Sequence, residues 1–201
     1  MNCDAGPESD RAAFTAWVRE LRAAFTPRNL LLSAAVSPSK KVIDLAYDVA
    51  SLSHDLDWIG VMTYDYFGNW DKNTGHVAPL FAHSKVENTF FNANFTLNYW
   101  MELGADPSKI IMGIPMYGQS FSLANPKENG LNAKARGPGQ AGEFTRQGGF
   151  LAYYEVSLLP APHTFLKLHT FLRFADLHFN DDDSRFKNDV KMFTFVIDAD
   201  L

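Results

Sequence analysis

The chain has 201 residues, 46% of them hydrophobic and 20% charged, so it is long enough to bury a core and has an ordinary globular make-up. Its 18 Lys and Arg against 23 Asp and Glu leave a net charge of −5 with no basic run, which argues against a nucleic-acid partner, because phosphate contacts need clustered cations. No apolar run reaches the roughly 18 residues of a membrane span, and the opening MNCDAGPESD lacks the basic and apolar regions of an export signal.

Taken in chain order, residues 9 to 25 predict an amphipathic helix. Phe14, Trp17, Val18, Leu21 and Phe25 recur at spacings of three and four and form one apolar stripe. Ser9 is the expected N-cap and Pro27 the stop. Leu30 to Val36, bounded by prolines, reads as a buried strand. Val42, Leu45, Ala46 and Val49 predict a short helix, and Trp58 to Tyr64 a second buried strand. A polar stretch from Asp65 to Ser84 follows. It is long for a connection, and long ordered loops often carry function. Residues 87 to 103 read as a helix capped by Gly104, and Ile110 to Ile114 as a third strand stopped by Pro115. Trp17 and Trp58 are expected in the core.

Apolar strands alternating with helices predict an α/β protein of right-handed βαβ units around a parallel sheet buried on both faces. Such sheets place chemistry at the C-terminal ends of their strands. From Gly118 to Glu155, Gly, Pro and Asn rise, as in Gly137-Pro138-Gly139, and predict a small insertion of turns and short strands. From Val156 the pattern changes again, and Asp181-Asp182-Asp183 reads as a solvated turn.

The candidate groups therefore leave the second and third strands. They are Met62-Thr63-Tyr64-Asp65 and Pro115-Met116-Tyr117-Gly118, with Trp70-Asp71 and Thr74-Gly75-His76 between them. Aromatic faces stack on sugars, and phenol and carboxylate groups hydrogen-bond hydroxyls and amides. Taken alone, Tyr64 and Tyr117 are equally readable as core aromatics and Asp65 as a turn cap. His76 has no second His or Cys at ligand spacing, so no metal is indicated. Cys3 is the one cysteine, either an inert thiol or half of a disulfide with sequence not present here. Asn94-Phe95-Thr96 is a glycosylation sequon inside an expected helix.

Several stretches resemble the later part of glycoside hydrolase family 18 chitinases, especially arthropod ones. They are CDAGPESDRAAFTAWVRELR, LLLSAAVSP, WIGVMTYDYFGNWDKNTGHVAPL, ADPSKIIMGIPMYGQSFSL and PGQAGEFTRQGGFLAYYE, from Cys3 to Glu155. The resemblance implies a partial (β/α)8 barrel, with strands five to seven at 30–36, 58–64 and 110–114. It implies the α+β insertion of these chitinases at 118–153, a partial catalytic barrel over 1–155 and a divergent tail over 156–201. It further implies substrate-assisted hydrolysis, in which the N-acetyl carbonyl of the sugar attacks the anomeric carbon. Tyr64 then hydrogen-bonds the acetamide and Asp65 contacts the sugar. Met62 forms floor, Trp70 stacks on the leaving-group side, and Tyr117 binds sugar. Gln119 stands where many relatives carry Arg, so it offers hydrogen bonds without charge. The implied partner is chitin or a chito-oligosaccharide, no cofactor is implied, and the parent protein is expected to be secreted.

The family's Asp-x-x-Asp-x-Asp-x-Glu signature, whose Glu protonates the glycosidic oxygen, does not occur in these residues. A positioned acid typically contributes about 10²–10⁴-fold in rate. Similarity is expected to end at Glu155. Two main readings follow: a fragment of a chitinase that does not hydrolyse by itself, and a lectin-like protein that binds chito-oligosaccharide without catalysis. An unrelated α/β domain is the third. Three consecutive parallel strands at the assigned positions separate it from the other two.

Overall fold

A computed structural model describes residues 6–157. Cys3, Asp181-Asp182-Asp183 and the tail from residue 158 lie outside the described residues. The chain divides into two units. Among the described residues, one holds 6–62 and 97–114, and the other 63–96 and 115–157.

The first unit is a three-stranded parallel sheet with helices. β1 (Ser33–Val36), β2 (Trp58–Val61) and β3 (Ile110–Met112) lie in that order. Ala35 pairs with Gly60, and Gly60 with Ile111. Three consecutive parallel strands thus stand at the expected positions. Among the described residues both outer strands are edges, and the sheet does not close into a barrel. Val36, Ile59, Val61 and Ile110 are fully buried, as the apolar runs require.

Each strand is shorter than the apolar run that announces it, for local reasons. Leu32 does not join the ladder. Its N–H donates to the Asp57 carboxylate at 2.6 Å, and its carbonyl accepts from the Asp57 N–H at 2.8 Å. Arg22 holds the same carboxylate at 2.9 Å. β2 stops at Val61, and Asp65, four residues on, takes a left-handed backbone with φ 58° that ends the extended run. β3 stops at Met112, and Pro115 has no N–H to extend it.

α1 spans Glu8–Phe25. It begins one residue before the expected cap Ser9. Pro7 is the cap residue, and its carbonyl accepts the Asp10 N–H at 2.8 Å, which starts the first turn early. Of the predicted stripe, Val18 is buried, whereas Trp17 is 58% exposed, contrary to its expected place in the core. Val18 alone points squarely into the packing, and Trp17, one position back, lies about 100° round the helix.

The single helix expected near residues 42–49 is two, α2 (Lys40–Ala46) and α3 (Val49–Asp55). Tyr47 is extended, and the Asp48 side chain caps α3 by accepting the Ser51 N–H at 3.2 Å. Lys109 caps the other end, donating to the Ser53 and Leu56 carbonyls at 2.6 and 2.8 Å. A cation there meets both the free carbonyls and the negative end of the helix dipole. Lys109→Met is expected to cost about 1–2 kcal/mol in urea unfolding.

α4 (Ala93–Glu102) starts six residues later than 87. Asn92, nearly fully buried, caps it by accepting the Phe95 N–H at 2.9 Å. Gly104 ends it with φ 101°, as its cap position requires.

The second unit holds two antiparallel pairs. β4 (Tyr117–Gln119) pairs with β7 (Phe150–Ala152), and β5 (Phe121–Leu123) with β6 (Ala135–Pro138). A short helix, α5 (Tyr153–Ser157), follows β7. The 65–84 stretch is ordered by backbone ties: Thr74 N–H to Ala133 O, Asn132 N–H to Thr74 O and Ala135 N–H to Lys72 O, at 2.8 to 2.9 Å. The buried Thr74 hydroxyl adds bonds to Gly130 and Ala133.

Candidate functional site

Five of the six candidate residues lie in the second unit. Met62 belongs to the sheet unit, where its N–H donates to Val36 O at 3.0 Å.

Tyr64 and Asp65 follow β2 in sequence, and Tyr117 opens β4. The Tyr64 and Tyr117 rings meet edge to face, with centroids 6.1 Å apart and planes at 80°. Tyr117 also lies against Phe150, at 4.7 Å, which fixes its outer face. The Asp65 carboxylate acts on both phenols. Burial, and then its charge, raise the Tyr64 pKa. Burial first, then an interaction with the Asp65 carboxylate, raise that of Tyr117 further. Both phenols therefore hold their protons more tightly than an exposed tyrosine does.

Asp65 Oδ1 is buried and has no hydrogen-bond partner. A buried carboxylate oxygen left unpaired is costly. It is held there by a residue already in an uncommon backbone conformation, φ 58°. The arrangement is a carboxylate tied to the Tyr117 phenol, with one oxygen left unpaired.

Tyr66 points elsewhere. It is buried, and its hydroxyl shares a 2.7 Å hydrogen bond with Thr96. The sequon's threonine hydroxyl is therefore engaged in packing. His76 is part of the same ordered loop, and the described residues contain no cluster of three or more His, Cys, Asp or Glu able to hold a metal. No helix among them is long and apolar enough to cross a membrane.

Trp70 is 47% exposed. Its ring covers the α-carbon of Gly68: a β-carbon there would lie 2.3 Å from the indole. Asp71 closes the turn by accepting the Gly68 N–H at 2.9 Å. Gln119, at the end of β4, uses its side-chain oxygen to accept from the Asn69 side chain at 3.1 Å and from the Asn69 N–H at 3.5 Å. Asn69 is a residue that reading the sequence did not single out. Its signal, an amide one position before the exposed Trp, is too short-ranged to show that Gln119 is its partner.

Glu155 is the other residue missed. Burial pushes its carboxyl up, but the Thr145, Ala152 and Phe144 N–H groups at 2.8 to 2.9 Å pull it down to about 2. A carboxyl depressed by folding stabilises the fold above its ordinary 4.5 and loses that contribution as pH falls from there through about 2. Glu155→Gln is therefore expected to lower stability at neutral pH and to flatten its decline across this acid window, as followed by urea midpoints at each pH.

The family model for glycosyl hydrolases family 18 matches residues 2–199, running past Glu155, where the sequence led us to expect similarity to end. A probable chitinase 10 of Drosophila melanogaster is 59% identical over 154 residues, which is 77% of this chain and 7% of the relative. Among solved structures, catalytic domain 2 of the Ostrinia furnacalis Group II chitinase matches with TM-score 0.75 and 54% identity, over 78% of this chain and 41% of that one. That domain has also been solved with an N-acetylchito-oligosaccharide. Human YKL-39, described as a pseudo-chitinase with retained chitooligosaccharide binding, matches with TM-score 0.71 and 38% identity, over 74% of this chain and 44% of that one. The chain thus spans less than half the length of these relatives. With nearly its whole length matched by one family model, the chain belongs to glycosyl hydrolases family 18.

Proposed function

We propose that these residues form the sugar-recognition part of a chitinase-family catalytic domain. Its ligand is a polymer of β-1,4-linked N-acetylglucosamine. The observation that carries this reading is the edge-to-face Tyr64–Tyr117 pair with the Asp65 carboxylate acting on both phenols. An acetamide presents one N–H donor and one carbonyl acceptor. A carboxylate accepts from the N–H and a phenol donates to the carbonyl, so Asp65 and Tyr64 match both. In this reading Tyr64 donates to the acetamide carbonyl, Asp65 accepts from a sugar N–H or O–H, and Tyr117 contacts the sugar. Trp70 offers the exposed face on which the next ring stacks.

In the whole protein the reaction is hydrolysis assisted by the substrate's acetamide. These groups orient that nucleophile. The Asp-x-x-Asp-x-Asp-x-Glu run that would supply the proton does not occur among the 201 residues. Binding and orientation are therefore the share of the chemistry we assign to this chain. We assign the compact antiparallel segment at 118–153 to the insertion that forms one wall of the binding cleft.

A second reading is binding without hydrolysis. The likeness to YKL-39 favours it, because that pseudo-chitinase keeps its chitooligosaccharide binding. Both readings require retention on chitin. Wild-type chain is expected to be retained by chitin beads. Trp70→Ala should weaken retention about tenfold or more, as truncating an anchoring aromatic does. Folded protein that passes through unretained, or a Trp70→Ala variant retained as well as wild type, would remove the basis for both.

A further inference from the structure

We propose that Gln119 is a positioning residue for Trp70. It acts by fixing Asn69, the residue on which the turn bearing the indole is seated. The inference rests on the reading of Trp70 as a sugar-stacking surface and adds the device that holds it.

Gln119 ends a paired strand, opposite Phe150 of β7. Its side-chain oxygen receives two donors from one residue, the Asn69 amide at 3.1 Å and the Asn69 backbone N–H at 3.5 Å. Gly149 forms the other side of the seat. A β-carbon on Gly149 would lie 2.3 Å from the Asn69 side-chain nitrogen and 2.5 Å from its β-carbon. That close approach, together with φ 82°, admits only glycine in comfort. Gly149 is itself immobilised. Its N–H donates to Gly139 O at 3.0 Å, and its carbonyl accepts from Ser120 N–H at 2.8 Å. Asn69 is thus held between two points on a hydrogen-bonded framework.

Beyond Asn69 the turn is stiff. Gly68 and Asp71 exchange two hydrogen bonds, each at 2.9 Å, through the Asp71 carboxylate and the Gly68 carbonyl. The indole lies on the Gly68 α-carbon and is otherwise half exposed. A stiff turn seated at one residue moves as a body when that seat is lost. Holding the ring in place beforehand removes ordering cost from sugar binding. The seat needs an acceptor at position 119. Gln supplies one, and neither an aliphatic side chain nor a guanidinium does.

The test uses the 201-residue chain, a soluble chito-oligosaccharide and the ¹H–¹⁵N signal of the Trp70 indole, identified with Trp70→Phe. Gln119→Leu should shift or broaden that signal and weaken binding about tenfold, the loss that corresponds to roughly one hydrogen-bonded contact. Gln119→Glu keeps the acceptor and should recover the wild-type indole signal. In a Trp70→Ala background, Gln119→Leu should add no further loss, because its effect passes through the ring. An unshifted indole signal in Gln119→Leu overturns the proposal. So does an undiminished loss in the Trp70→Ala background. If Trp70→Ala leaves binding unchanged, the stacking reading fails by itself, and the indole signal still decides whether Gln119 seats the turn.

Discussion

Asp65→Asn is expected to weaken chito-oligosaccharide binding at least tenfold while leaving the fold intact. A hydrogen bond to a charged group contributes about 1.5–3 kcal/mol. Asn keeps the shape, and like Asp it is comfortable in the left-handed region that φ 58° demands. Two further variants separate backbone from ligand. Asp65→Ala puts an ordinary side chain in that conformation and should unfold at lower urea than Asp65→Gly, by about 1 kcal/mol. Both should lose sugar binding alike. In Asp65→Asn the Tyr117 phenol should also ionise at lower pH than in wild type, since the neighbouring charge that helps hold its proton is gone. Burial still holds it above an exposed tyrosine. Phenolate absorbance on titration measures this. Binding that survives Asp65→Asn would show that the Asp65 carboxylate is not the acceptor for sugar.

Trp100→Ala should produce the largest loss of stability, about 3–5 kcal/mol, comparable with the whole stability of a marginal domain. Trp100 is fully buried on α4 and packs against Tyr47 at 5.3 Å. Its indole N–H has no acceptor. Trp100→Phe should therefore cost much less, because it keeps most of the apolar volume and removes an unpaired buried donor. Near-ultraviolet circular dichroism against urea distinguishes the two. A loss below about 1 kcal/mol for the alanine variant would mean that the site collapses freely and is not a packed core.

The sequence showed the parallel sheet because its strands are short apolar runs separated by helices. Ile59, Val61 and Ile110 are buried for the reason that made them visible. It did not show where strands and helices end. Those limits are set by side chains acting across the chain or at caps: Asp57 on Leu32, Asp48 at α3 and Asn92 at α4. Such bonds leave no periodic trace. Trp17 shows the related weakness of a stripe, since membership of an apolar face does not specify which of two neighbours points inward.

The candidate site was legible in a different way. Tyr64, Asp65 and Tyr117 stood out by their place after apolar strands and by family resemblance, and the structure brings all three together. Periodicity alone left them as possible core residues. What distinguishes the site physically is the unpaired Asp65 oxygen and the left-handed backbone beneath it, and neither is encoded in a pattern of residue types. The Asn69–Gln119 pairing was illegible because its partners lie fifty positions apart.

We propose that Tyr64, Asp65 and Tyr117 together recognise an acetamide. The most direct test is calorimetric titration of the chain with a chito-oligosaccharide and, separately, with the same oligomer fully deacetylated. The acetylated sugar should bind, and deacetylation should weaken binding at least tenfold. Equal affinity for both would contradict that recognition.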